Sequence, residues 1–174
     1  PAILFISTHK AGAFPGTGKV GDVGTGDGEG TVINVPLPAD AGRAALLAAF
    51  DTLIAPAAAR FSPDLVLVSA GYDGHWADTL QTGFQATSGT YHTLSARVAE
   101  LAAGLAPPGS PPLPLVFLLE GGYNTSALSE SVNESLRALL GAPSADAFDA
   151  SVLRDEPADK VRAVLAEARR VHGL

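Results

Sequence analysis

An α/β fold built on parallel strands is what this sequence predicts, and three observations predict it. Four short runs, residues 3–7, 31–35, 65–68 and 115–119, are continuously or nearly continuously apolar, as strands covered on both faces tend to be. Windows with helical spacing of apolar residues alternate with them, the pattern of a sheet flanked by helices. The runs at 65–68 and 115–119 each open into a polar loop, and in an open parallel sheet ligands sit beyond the carboxyl ends of the strands.

The elements follow in order. After the second strand, Leu46, Leu47, Phe50, Leu53, Ile54 and Phe61 share one helical face, with Pro56 expected to kink or break that helix. A second helix is expected from Ser88 as N-cap through Tyr91, Leu94, Val98 and Leu101 to Gly104. A third is expected after Asn124, with Leu128, Val132, Leu136 and Leu139 as its buried stripe. Residues 142–159 are acidic and rich in small side chains, which reads as surface chain. A final charged helix is expected over 157–172, with Pro157 near its first turn.

The glycines between 12 and 30 raise the question of a phosphate loop. Gly16-Thr17-Gly18-Lys19-Val20-Gly21 fits the dinucleotide glycine pattern literally, but Phe14-Pro15 separates it from the strand and no helix is expected to open after it. A Walker-type loop fails as well, because Ala13 replaces the first glycine and Val20 follows Lys19. The segment therefore reads as a long shaped loop.

Composition narrows the classes further. With 174 residues, 47% of them hydrophobic, the chain can bury a sizeable core. A net charge of −7 argues against general nucleic-acid binding, which relies on basic surface, and is compatible with a basic partner. The absence of Cys excludes disulfides and thiolate chemistry. No uninterrupted apolar run approaches the roughly 18 residues of a membrane span, so a soluble product with no membrane partner is expected.

The two polar loops hold the chemistry. The first, Ser69-Ala70-Gly71-Tyr72-Asp73-Gly74-His75-Trp76-Ala77-Asp78, offers a carboxylate at a strand end. The second, Glu120-Gly121-Gly122-Tyr123-Asn124, offers a phenol beside bare glycines. A carboxylate so placed can ligate a cation, and a phenol that is neutral at pH 7 can donate to a polarised carbonyl.

At these residues the chain resembles the zinc-dependent histone deacetylases and their acetoin-utilisation and acetylpolyamine relatives. Ser69-Ala70-Gly71-Tyr72-Asp73 followed by Asp78 is similar to the family's Ser-x-Gly-Phe-Asp with a second Asp five positions on, and Gly121-Gly122-Tyr123 is similar to its Gly-Gly-Tyr. Phe14-Pro15-Gly16-Thr17-Gly18 with Asp22-Val23-Gly24 resembles the loop that lines one wall of the acyl-lysine tunnel. The resemblance covers roughly residues 1–142. Residues 143–156 are left as a linker or surface loop and 157–174 as a terminal helix.

The resemblance implies an arginase/deacetylase-like three-layer sandwich with a mostly parallel sheet. It implies Zn2+ held partly by Asp73, Tyr123 as donor to the developing oxyanion, and substrate contacts from Phe14, Leu80, Gly121 and Gly122. Ser7 and Thr8 would contribute to a structural monovalent-cation (K+) site. His75, two residues from Asp73, reads as a loop-stabilising or rim residue, His9 as a buried hydrogen-bonded residue, and His92 and His172 as helix residues without a functional signal. Trp76 would form an aromatic rim. Thr79 stands where the family usually has Pro, which frees the loop that carries Leu80.

The family draws its other two zinc ligands and a histidine pair from an Asp-x-Asp-x-His-His-Gly type segment ahead of the first strand, and no such segment occurs here. The chain also starts at Pro1 and has no Met. It is therefore expected to be the carboxyl-terminal part of a deacetylase domain that is incomplete on its amino-terminal side and inactive alone. The implied substrate is an acetyl-lysine protein such as a histone tail, with a polyamine or other small amide as the alternative. A non-catalytic interaction module that kept the fold is the alternative of another class. Nucleus or cytoplasm is the compartment the resemblance implies.

Overall fold

The computed structural model describes residues 2–80 and 82–174. It divides into two compact units, one of residues 1–61 with 155–174 and one of residues 62–154.

In the first unit, β1 (Phe5–Lys10) and β2 (Val32–Leu37) pair in parallel, with Phe5 opposite Val32 and Lys10 opposite Leu37. Residues 12–30 form the long loop between them, broken only by a 3-10 turn at Gly26–Gly28. Two side chains pin this loop to the strands. His9 Nε2 lies 3.0 Å from the Gly18 carbonyl while its Nδ1 meets Ser7 Oγ at 2.9 Å, and Asn34 donates to the Asp22 carbonyl at 2.9 Å. No α-helix opens from the glycine pattern.

The helix after β2 runs from α1 (Arg43–Ala49) through a π-helical stretch at Phe50–Ile54 into α2 (Ala55–Phe61). Pro56 neither breaks nor ends it. Proline lacks an N–H and its ring clashes with the carbonyl four residues back, and the π turn just before it loosens the backbone to take that misfit. By length and composition this helix, mean hydropathy 1.4, would also suit a membrane crossing. Its apolar face is buried in the unit, with Ala49 and Leu53 fully enclosed and Phe50 nearly so, and its exposed positions include Arg43, Asp51 and Arg60. That is the pattern of a core helix.

The N-cap of α1 is Gly42, which has no side chain to cap with. Glu156 supplies the missing acceptor: its carboxylate takes the N–H groups of Gly42 at 2.9 Å and of Ala44 and Ala45 at 2.8 Å. Just beyond, α5 (Ala158–His172) packs on β2, burying Val161, Leu165 and Ala168, and the Arg60 guanidinium donates to the His172 carbonyl at 2.8 Å. Pro157 precedes the helix as its N-cap.

In the second unit, β3 (Val66–Gly71) and β4 (Leu115–Gly121) pair in parallel, and α3 (Ser88–Leu105) packs on α4 (Thr125–Leu139). The outward face of the strand pair exposes Leu67, Val116 and Leu118. Two helix expectations need correction. The N-cap of α3 is Thr87 and not Ser88: Thr87 and Thr90 form a reciprocal capping box, while Ser88 is buried inside the first turn. On α4 the buried residues are Ala127, Ser131, Glu134, Ser135 and Ala138, and Leu136 is 52% exposed where a buried stripe was expected. Small side chains let the two helices approach closely enough for Ser88 and Ser131 to hydrogen-bond at 3.2 Å, so the leucines are turned aside.

Candidate metal and acyl site

The two polar loops lie in the second unit. The strand pair does not end evenly. Ala70 pairs with Leu119 but Gly71 with Gly121, so Glu120 is an extra residue on β4. Such a bulge bends a strand and re-aims the chain beyond it. Here it sets Gly121 directly against Asp73. A Cβ on Gly121 would stand 3.0 Å from Asp73 Oδ1, and one on Gly71 would meet the same oxygen at 3.0 Å. The carboxylate therefore rests on two stretches of bare backbone.

Below it, Tyr72 is buried, its ring 4.8 Å from that of Tyr91, and its hydroxyl donates to Ser135 Oγ on α4 at 3.1 Å. A Tyr in place of the family's Phe thus brings a hydroxyl into the core together with its partner. Gly122 adopts φ +125, a conformation that glycine takes at little cost, and a Cβ there would come within 2.9 Å of Leu128 Cδ1. Gly122 is thus required by its backbone conformation and its neighbours, whereas at Gly121 a Cβ would meet only the Asp73 side chain.

Asp73 is half-buried, and burial pushes its carboxyl above the ordinary value. Its own N–H and that of Gly74 pull it down, while the nearby carboxylates of Asp78 and Glu120 push it up, with a net rise. A half-buried carboxylate with acidic neighbours suits a cation. His75 is buried and accepts the Ala77 N–H at Nδ1 from 3.1 Å, and its backbone bridges to Ala86. Burial lowers its imidazole below the ordinary value against the pull of Glu130, Asp146 and Asp78.

Asp78, given no role in the sequence, ties the two loops of the site together. It is 4% exposed and accepts the N–H of Tyr123 at 2.7 Å, of Asn124 at 3.2 Å and of Leu80 at 2.9 Å. Its motif spacing was visible; its partners were not. Asn124 completes the junction, donating to the Ala77 carbonyl at 2.8 Å while its side-chain oxygen caps α4 through Ser126 and Ala127.

The Tyr123 side chain is 55% exposed and Leu80 59% exposed, so neither belongs to the core. Phe14, in the first unit, is fully exposed. Ser7 and Thr8 lie half-buried on β1. Trp76 stacks on Phe148 with ring centres 5.0 Å apart. His92 Nε2 lies 2.9 Å from the Ala142 carbonyl.

A catalytic zinc needs about three protein ligands. Asp73 fits as one, and among the described residues no group of three or more His, Asp or Glu side chains is placed to hold a metal.

The histone deacetylase domain family matches residues 1–139. The chain belongs to that family. It is 49% identical over 176 residues to histone deacetylase 10, chloroplastic, of Oryza sativa subsp. japonica, covering 100% of this chain and 38% of that protein. It is 47% identical over 176 residues to histone deacetylase 14, chloroplastic, of Arabidopsis thaliana, covering 100% of this chain and 40% of that protein. The structure of the histone deacetylase Clr3 matches with a TM-score of 0.80 at 28% identity, over 97% of this chain and 27% of that one.

The chain thus spans about two fifths of the length of the curated relatives it matches, and it is a part of the histone deacetylase domain. Its fold is the incomplete arginase/deacetylase-like α/β fold that the sequence resemblance implied. The similarity to the two plant proteins continues through residues 143–174. The expected nuclear or cytoplasmic compartment is overturned, because both of these whole-chain relatives are named chloroplastic.

Proposed function

We propose that this histone deacetylase chain supplies one wall of a zinc-dependent site that removes acetyl groups from lysine side chains of proteins, and that it is inactive alone. The observation that carries the reading is the bulged end of β4, which sets Asp73 on bare backbone beside the loop bearing Tyr123. In this reading Asp73 is a metal ligand and the exposed Tyr123 hydroxyl donates to the oxyanion that forms on the acyl carbonyl. Zinc, when bound, would polarise that carbonyl and lower the pKa of the attacking water. Leu80 is a proposed substrate contact of the same loop, and Gly121 and Gly122 keep the backbone flat where substrate approaches; on the first unit, Phe14 is proposed as a substrate contact in its own right. Ser7 and Thr8 are proposed contributors to a K+ site. The substrate is proposed to be an acetylated protein, a histone tail among the options. The names of the two plant relatives support a chloroplast setting.

Metal content after dialysis, with deacetylation measured in parallel, tests the reading. In the full-length protein, Asp73→Ala is expected to lose zinc and activity together, whereas His75→Ala keeps most of its zinc. The chain alone is expected to bind zinc weakly and to turn over no acetyl-lysine peptide. Tight stoichiometric binding with turnover by the chain alone, or equal zinc loss in the two variants, overturns the assignment.

A further inference from the structure

We infer that Asp78 is a positioning residue for the reaction, holding the backbone of Tyr123 and of Leu80 so that the oxyanion donor and the acyl-flanking residue keep one fixed relation. The inference rests on the proposed role of Tyr123 and adds to it the group that sets where that tyrosine stands.

The bonding pattern carries the argument. An ionised carboxylate is acceptor-only and can take several N–H groups at once. Asp78 does so with its two oxygens divided between two loops. Oδ1 takes the Leu80 N–H of its own loop at 2.9 Å, and Oδ2 takes the N–H groups of Tyr123 at 2.7 Å and of Asn124 at 3.2 Å on the loop after β4. At 4% exposure the side chain is shielded from water, which would otherwise compete for those donors.

Without it, two backbone N–H groups at the head of α4 lose their partner, since the cap made by Asn124 serves Ser126 and Ala127 instead. Tyr123 is 55% exposed, so packing gives its hydroxyl little anchorage. Its backbone is the part that is held. A donor displaced by about 1 Å from a developing charge can cost on the order of 10²-fold in rate, so a group fixing that backbone bears on kcat without touching substrate.

Asn at this position is nearly the same size but has one acceptor and one NH2 donor. Whichever way it turns, its NH2 faces an N–H donor on one of the two loops. Asp78→Asn therefore breaks the clamp and fills the same space.

Two readouts test this. In the chain itself, with no metal needed, hydrogen exchange at the Tyr123 and Asn124 amides is expected to be about tenfold or more faster in Asp78→Asn, with the α5 amides unchanged. In the zinc-loaded full-length protein, Asp78→Asn is expected to lower kcat by about 10- to 10²-fold with little change in KM or zinc content. Combined with Tyr123→Phe, it should add almost nothing, because a donor already removed cannot be misplaced. Asp78→Glu, which keeps the charge but moves it by a methylene, serves if the Asn variant does not fold and should show the same non-additivity. Unchanged exchange at Tyr123, or a kcat loss of equal size in the wild-type and Tyr123→Phe backgrounds, overturns the inference. If Tyr123→Phe alone leaves turnover near normal, the underlying reading of Tyr123 fails first, which separates the two outcomes.

Discussion

The strand ends of the two units use their polar side chains differently. On β1 and β2, His9 and Asn34 are both engaged with backbone carbonyls of the glycine-rich loop, at Gly18 and Asp22. After β3, the engaged groups are Asp78 and His75, which hold N–H groups, while among the described residues Asp73 meets the nearby N–H groups of its own turn and stays half-buried against bare glycine backbone. The difference teaches where chemistry can reside. A side chain already committed to shaping a loop is scaffold, and one held in place without a strong partner is available to a metal or substrate.

The comparison breaks most visibly at Tyr123, which removes the largest proposed contribution without altering a loop. In the full-length protein Tyr123→Phe should keep fold and metal, since only a hydroxyl is lost, and lower kcat by about 10²-fold or more with a smaller change in KM. Steady-state kinetics with metal analysis decides it. Turnover near normal would mean that Tyr123 only begins a helix.

Adding one methyl to each region sharpens the contrast. Gly18 has φ +82 and a Cβ there would stand 2.7 Å from His9 Nε2, so Gly18→Ala strains the backbone and displaces the pin of the glycine-rich loop. A stability loss of about 1–3 kcal/mol in denaturant unfolding is expected. At Gly121 the added Cβ would meet the movable Asp73 carboxylate at 3.0 Å. Gly121→Ala should cost little stability but lower activity in the full-length protein by about tenfold or more, because the carboxylate is shifted. Similar effects of both variants on both measurements would erase the distinction between the regions.

How much of this was legible in the sequence follows from the range of each interaction. The strands were legible because short apolar runs ending in polar loops are a local pattern, and all four lie where expected to within a few residues. The belonging of the chain to the deacetylase family was legible in three ordered motifs. The buried face of α4 was not, since apolarity favoured Leu136 and Leu139 while close packing against α3 selected Ala127, Ser131 and Ala138. Nor was the bulge at Glu120, which exists only in the pairing of two distant segments. The clamp made by Asp78 joins residues 45 apart, and a spacing rule shows that such a residue is present without showing what it holds.

The smallest expected effect concerns residues 143–154, which the sequence presents as surface chain and the structure ties down with two carboxylates. Glu134 on α4 accepts from the Ser144 hydroxyl and from the Ala145 N–H at 3.0 Å, and Asp146 accepts from Gly89 N–H at 2.6 Å and Phe148 N–H at 3.0 Å. Burial alone would raise both carboxyls, yet these hydrogen bonds outweigh it and hold each below its ordinary value. A carboxylate so depressed stabilises the folded state fully above its ordinary pKa and loses that contribution as pH falls through the folded value. The segment should therefore stay docked at neutral pH and release below about pH 4, the ordinary carboxylate range. Trp76, the sole Trp, reports this directly because it stacks on Phe148 within the segment. Its emission should shift to longer wavelength on acidification before far-ultraviolet circular dichroism changes, and Asp146→Asn should move that shift to higher pH. A fluorescence change that coincides with global unfolding in both proteins would show that the segment has no separate acid-sensitive attachment.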